Sequence, residues 1–113
     1  MIILELPYPP SVNHYWGQCG NRRFVGKKGM EFRKAVADVV ADVGKKAEGR
    51  LQVAIALFPP DRRRRDIDNV QKSLNDALQH AGVFDDDEQI DVLLIERKEI
   101  VKGGKCKVVI TEL

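Results

Sequence analysis

Cysteine is scarce in this chain: Cys19 and Cys106 are the only two, and neither sits in a Cys-x-x-Cys or Cys/His spacing. That excludes a disulfide scaffold, argues against a zinc site and fits a reducing compartment, so no disulfide is expected. Long apolar runs are also missing. The start Met1-Ile2-Ile3-Leu4 is broken by Glu5 and Pro7 and has no basic leader, which is too little for a bilayer span or a signal peptide. A cytoplasmic protein with no membrane contact and no organic cofactor is the expectation. Histidine is limited to His14 and His80, isolated from the partners that nucleophilic or zinc chemistry would need. A strong excess of one charge is absent too, because 19 basic residues against 17 acidic ones leave only +2. The arrangement of charge therefore carries more information than its sum.

The 113 residues suffice for one domain with a single core, 1–113, that needs no structural metal. Ile2, Leu4 and Leu6 alternate as in a strand, which Pro7, Pro9 and Pro10 end. Residues 11–27 show no sustained period and read as a loop with room for a short hairpin. Tyr15 and Trp16 within it are read as anchors to the core rather than as stacking groups. From Lys28 to Lys46, Phe32, Val36, Val39, Val40 and Val43 form one helical stripe, and Gly44 supplies a stop. Leu51 to Phe58 reads as a strand closed by Pro59-Pro60, with Ala54 and Ala56 offering a flat face for a helix.

A second helix is predicted from Ile67 to just before Gly82, with Asp66 as N-cap and a buried stripe of Ile67, Val70, Leu74, Ala77, Leu78 and Ala81. Its flank carries Asp68, Lys72, Asn75 and Gln79. Val92 to Ile100 and Lys105 to Thr111 read as two strands of a hairpin turning at Lys102-Gly103-Gly104. The order β, loop, α, β, α, β, β predicts a small α/β (α+β) domain with a mixed sheet and two main helices.

The chemistry concentrates in Asp61-Arg62-Arg63-Arg64-Arg65-Asp66-Ile67-Asp68-Asn69, with Lys72 one turn on. Cations attract phosphate, and adjacent carboxylates attract a hard cation. Asp66 and Asp68 would diverge on a regular helix and converge only if Asp66 lies just outside it, where the helix dipole also favours anions. A second acidic run, Asp85-Asp86-Asp87-Glu88, could bring a third carboxylate if the chain folds back. Mg²⁺ suits such donors, since it often takes one or two carboxylates plus substrate phosphate, and Lys72 could add a fixed charge. The bland alternative makes Asp66 a cap, Asp68 and Lys72 an i,i+4 pair, and the second run a solvated loop. A calcium loop is disfavoured, because the run lacks the sharp-turn glycine and the terminal Glu at EF-hand spacing.

The stretch Pro60-Asp61-Arg62-Arg63-Arg64-Arg65-Asp66-Ile67-Asp68-Asn69, then Gln71-Lys72, Asp76-Ala77-Leu78, Ala81-Gly82 and Asp86-Asp87-Glu88-Gln89-Ile90, resembles the RusA family of Holliday junction resolvases. The opening Leu6-Pro7-Tyr8-Pro9-Pro10-Ser11-Val12-Asn13 and the end Lys102-Gly103-Gly104 through Glu112 resemble that family's termini, so the likeness spans nearly the whole chain. It implies a homodimeric, Mg²⁺-dependent endonuclease, common on phages and prophages, that cuts four-way DNA junctions by paired incisions. By position it implies Asp66, Asp68 and Asp87 as metal ligands, with Asp86 as the alternative third, and Lys72 as the catalytic lysine. The DNA-facing candidates are Arg62, Arg63, Arg64, Arg65, Asn69, Lys102 and Lys105. Some arginines are expected to orient carboxylates while others face phosphate. Lys102, Lys105 and Lys107 either extend a basic surface or guard an edge strand. Two other classes fit the same residues: a junction binder without catalysis, and a general Mg²⁺ nuclease.

Overall fold

The computed structural model describes all 113 residues. Three helices and six strands follow in the order β1 (Ile2–Leu6), α1 (Val12–Tyr15), β2 (Trp16–Cys19), β3 (Arg22–Val25), α2 (Lys27–Val43), β4 (Leu51–Phe58), α3 (Asp68–Ala81), β5 (Ile90–Arg97) and β6 (Lys105–Glu112). One sheet has the order β1-β6-β4-β5, and β2 with β3 forms a separate two-stranded ribbon. β6 runs antiparallel to both β1 and β4, whereas β5 runs parallel to β4, so the sheet is mixed. This is the expected α+β architecture.

The strands bury alternate residues because successive side chains point to opposite faces. Leu4, Leu51, Val53, Leu57, Val108 and Ile110 are almost fully enclosed. The helices complete the same core with Phe32, Val36 and Val40 from α2 and Val70, Leu74, Ala77 and Leu78 from α3. Both predicted helical stripes are therefore the buried ones. At the ends, Gly44 (φ 68°) and Gly82 (φ 83°) take the left-handed conformation that closes each helix cheaply only for glycine.

Three expectations are corrected. First, β5 and β6 are not a hairpin, since β4 lies between them. The β4–α3–β5 crossover seats β5 parallel to β4, and the chain then passes over the end of β4, where Leu57 and Pro59 carbonyls accept from the amides of Lys98 (2.8 Å) and Val101 (2.9 Å). The Gly103–Gly104 turn is real but serves this crossing; a Cβ on Gly104 would lie 2.9 Å from Tyr8 Cβ. Second, β6 is interior, so its lysines guard no edge. Third, Ala54 and Ala56 lie on the half-buried face of β4, opposite the Leu51, Val53, Ile55 and Leu57 face that joins the helices in the core. Branched side chains fill the space between sheet and helix, and the alanines are left on the other side. Cys19 is exposed, Cys106 is buried, and both are free thiols.

Candidate active site

The segment between β4 and α3 is shaped by Asp61. Its Oδ1 accepts from the Arg63 amide at 2.9 Å and from Arg65 Nη1 at 2.7 Å. The Arg65 hydrogen bond, helped by the Arg63 amide, holds the Asp61 carboxyl down at about 2. Arg65 is half-buried, with its guanidinium 5.9 Å from the Tyr8 ring centroid. Arg97 donates to the Arg65 carbonyl. The arginine run is thus divided. Arg65 is an internal clamp, whereas Arg62 and Arg64 are exposed and in no ion pair, and Arg63 is 85% exposed with only a 3.9 Å approach to Asp61.

These arginines form a ridge between two concavities. The first, about 620 Å³, is lined by Arg63, Arg64, Asp66 and Asn69 on one side and by Tyr8, Ser11 and His14 on the other. The second, about 610 Å³, lies between the run and the segment from Arg97 to Ile100. Lys102 and Lys105 belong to the same end of the sheet, because Lys105 is the register partner of Phe58 and Gly104 packs on Pro60. Lys105 Nζ sits 4.8 Å from the Phe58 ring centroid.

The helix begins one residue later than the sequence suggests. Ile67 is the N-cap position, already helical (φ −68°, ψ −26°), and no side chain caps it. Asp66 contributes its carbonyl, which accepts from the Asn69 amide at 3.2 Å, and its carboxylate takes no part in capping. The first turn is instead closed through the Asp66 backbone, by this bond between residues three apart, and the Asp66 carboxylate is left out of it. Asp66 and Asp68 are both exposed, and neither is in an ion pair. The simple i,i+4 pair of Asp68 with Lys72 is therefore absent, and Lys72 stands exposed one turn along.

At the far end of α3 the second acidic run is sorted residue by residue. Asp85 pairs with Lys46 (2.5 Å) and Glu88 with Arg50 (3.0 Å). Asp86 caps the 3-10 turn Asp87–Gln89, accepting from the Glu88 amide at 3.0 Å while Gln89 reaches back to the Asp86 amide at 3.0 Å. Asp87 alone of the four is in neither an ion pair nor a cap. Its amide donates to Gln79 Oε1 at 3.2 Å, which ties it to α3. Burial, then the hydrogen bond and charge of Asp86, then the charge of Asp76, push its carboxyl above the usual range. A carboxylate among like charges is a poor structural element and a suitable cation ligand.

The structure gathers Asp66, Asp68, Asn69 and Lys72 around the start of α3 and sets Asp87 beside its end, with about 16 Å of helix between Asp68 and Gln79. Within one chain no three carboxylate, imidazole or thiolate groups come close enough to hold a metal ion. The donor type nevertheless fits Mg²⁺, a hard cation that needs only one or two carboxylates when water and substrate phosphate complete its octahedron.

Sequence reasoning missed a part-buried network behind this flank. Arg33 Nη2 donates to Asp76 Oδ2 at 2.7 Å and Arg33 Nε to the Tyr15 hydroxyl at 2.8 Å, while that hydroxyl donates to the same carboxylate. Burial and the Asp76 hydrogen bond push the Tyr15 phenol up to about 12. Tyr15 is fully enclosed and meets the half-buried Trp16 edge-on at 5.0 Å, so both aromatics are core anchors as expected. Arg33 and Asp76 are 43 positions apart, and no local pattern links them.

Comparison with known proteins places this geometry. The family described as Endodeoxyribonuclease RusA matches residues 7–111. The chain is 41% identical over 110 residues to the crossover junction endodeoxyribonuclease rusA of Enterobacteria phage HK97, covering 96% of this chain and 92% of that protein. It is 36% identical over 114 aligned positions to the crossover junction endodeoxyribonuclease RusA of Escherichia coli (strain K12), covering 97% and 93% of the two chains. To the enzyme of that name from Enterobacteria phage 82 it is 35% identical, with the same coverage. Likeness of this extent, across the arginine run, the α3 flank and the acidic turn alike, shows that the chain belongs to the RusA family of endodeoxyribonucleases.

Proposed function

We propose that this protein is a crossover junction endodeoxyribonuclease that acts as a homodimer, requires Mg²⁺ and resolves four-way DNA junctions by paired incisions. The observation that carries the reading is the pairing of available groups of opposite sign at one place: Arg62 and Arg64 in no ion pair and Arg63 held only by a 3.9 Å contact to Asp61, beside Asp66 and Asp68 without ion pairs. Relatives that match nearly the whole chain are named for the same activity.

In this reading Arg62 to Arg64, with Lys102 and Lys105, grip backbone phosphates, and Asn69 at the first turn of α3 hydrogen-bonds the strand to be cut. Arg65 keeps the ridge in shape through Asp61. Asp66, Asp68 and Asp87 are the groups that would hold Mg²⁺. When bound, the ion supplies an activated water and neutralises charge on the scissile phosphate. Lys72 places an ammonium where negative charge grows on the phosphate oxygens. An isologous dimer would present two such sites to the two symmetry-related strands of a junction.

Cleavage of an end-labelled four-way junction beside a linear duplex of the same sequence, with Mg²⁺ or with EDTA, tests the proposal. Symmetric paired cuts in the junction alone, dependent on Mg²⁺ and lost in Asp68→Asn, are expected. A second reading, a junction-binding protein without catalysis, draws on the dispersal of the carboxylates within one chain. Tight junction binding with no incision under any divalent ion would select it, and equal cutting of duplex and junction would select a general nuclease.

A further inference from the structure

From Leu6 to Met30 the chain holds no Asp or Glu, against Arg22, Arg23, Lys27 and Lys28. None of these four cations is in an ion pair. The centre of this acid-free stretch is the β2–β3 ribbon, whose register pairs Trp16 with Val25, Gly17 with Phe24, Gln18 with Arg23 and Cys19 with Arg22. Because side chains alternate, the ribbon has two unlike faces. On one, Trp16 and Val25 pack on the core, and Arg23 lies 4.4 Å over the indole. On the other stand Phe24 and Arg22, both exposed.

Phe24 is 48% exposed, although it sits in a strand with a direct cross-strand partner. That partner is Gly17, and a Cβ built there would lie 2.5 Å from Phe24 Cε2 and 2.6 Å from Cζ. The ring therefore rests on the glycine backbone, in space that any side chain at position 17 would take. One side of the ring is held, and the other is left to water. The base of the ribbon is equally constrained: a Cβ on Gly29 would lie 2.3 Å from the Tyr15 carbonyl oxygen, so α2 presses directly on the chain entering β2. The ribbon adjoins the site already described, because β2 starts two residues after His14, which lines the concavity shared with Arg63, Arg64 and Asp66.

We infer that the β2–β3 ribbon is a second DNA-contacting element, in which Phe24 is a pre-set stacking platform for an unpaired base at the branch of the junction and Arg22 is its phosphate contact. The inference rests on the four-way junction being the substrate. A flat aromatic beside cations is the minimal apparatus for holding an unstacked base, since every base offers a π face, and a ring already fixed loses little freedom on binding. A linear duplex keeps its bases stacked and offers the ring nothing, whereas a branch point exposes them. Phe24 would thereby add junction selectivity that phosphate contacts alone do not supply.

The test uses the full-length protein in EDTA with a four-way junction carrying 2-aminopurine beside the branch. Wild type should raise the probe's fluorescence on binding. Phe24→Ala should abolish most of that rise and weaken junction binding by about tenfold, with linear-duplex binding left near wild type. Phe24→Trp should restore the junction affinity, and Gly17→Ala, which displaces the ring, should mimic the loss of both the rise and the affinity. Arg22→Gln should reduce the salt dependence of junction binding by about one unit of log–log slope while keeping the fluorescence rise. A folded Phe24→Ala variant that keeps the full fluorescence rise and wild-type junction affinity overturns the inference and leaves the resolvase reading intact. Wild type that binds junction and duplex alike, with no fluorescence change, overturns both.

Discussion

The two charged segments that bracket α3 make an instructive pair. Before the helix, four arginines follow Asp61, and one of them, Arg65, spends its guanidinium on that carboxylate at 2.7 Å, while Arg63 only approaches it at 3.9 Å and Arg62 and Arg64 are in no ion pair. After the helix, four carboxylates stand in a row, and three are consumed: Asp85 by Lys46, Asp86 by the 3-10 cap and Glu88 by Arg50. Asp87 is left over, in a setting that resists its ionisation. In both runs most or some members build the scaffold that holds the remaining ones in place. The cationic run leaves a surplus suited to many phosphates, whereas the acidic run leaves one residue suited to one ion.

If that division is correct, the sharpest difference lies within the acidic run. Asp87→Asn should reduce Mg²⁺-dependent junction cleavage by several orders of magnitude, whereas Asp85→Asn should stay near wild type in the same end-labelled assay. In EDTA the Asp87→Asn protein should also melt slightly higher at neutral pH. The folded-state value of Asp87 is raised, so its ionisation costs stability once the pH exceeds the unfolded value, and the amide removes that cost. Equal cleavage by both variants would erase the distinction.

Next in size is Lys72→Ala. Single-turnover cleavage should fall by about 100-fold or more with junction affinity little changed, as expected of a lysine that acts on charge developing during reaction. Matching losses in rate and affinity would reduce it to a phosphate contact.

Within the cationic run the contrast is smaller and of a different kind. Replacing Arg63 and Arg64 by Ala should lower the log–log salt slope of junction binding by about two, with urea stability unchanged. Arg65→Ala should instead lower urea stability by about 1 kcal/mol, measured by its midpoint, through loss of a hydrogen bond to a carboxylate. A salt-slope change for Arg65→Ala without a stability change would reverse the assignment.

The smallest effect is a pH dependence at Asp61. Its folded value, about 2, lies below the unfolded one. Its contribution is thus present above the ordinary carboxylate value, about 4, and is lost as the pH falls towards 2. The stability difference between wild type and Asp61→Asn should shrink over that window in acid titrations followed by circular dichroism.

Much of this was readable before folding. The stripes Phe32, Val36, Val40 and Val70, Leu74, Ala77, Leu78 depend only on helical period, and both are buried. The arginine run beside Asp66 and Asp68 lies within one short segment, so its chemistry is a local property of the sequence. The strand neighbours were not readable. Gly103 and Gly104 announce a turn, yet a turn does not say whether the strands on either side pair, and here β4 is inserted between them. Nor could composition tell Asp87 from Asp86, since only the capping geometry and the reach of Gln79 separate them. The Phe24 ring over Gly17 likewise needs a cross-strand register to be seen.

The helical faces, the strand segments of the four-stranded sheet and the inventory of cations and carboxylates were set by the sequence, because period and local charge act between near neighbours along the chain, whereas β2 and β3 lay in a segment without sustained period. Tertiary structure alone decided which charges are spent on one another and which remain for a ligand. That choice depends on distances between residues such as Asp85 and Lys46 or Glu88 and Arg50, which lie 39 and 38 positions apart and meet only when the core brings their elements together.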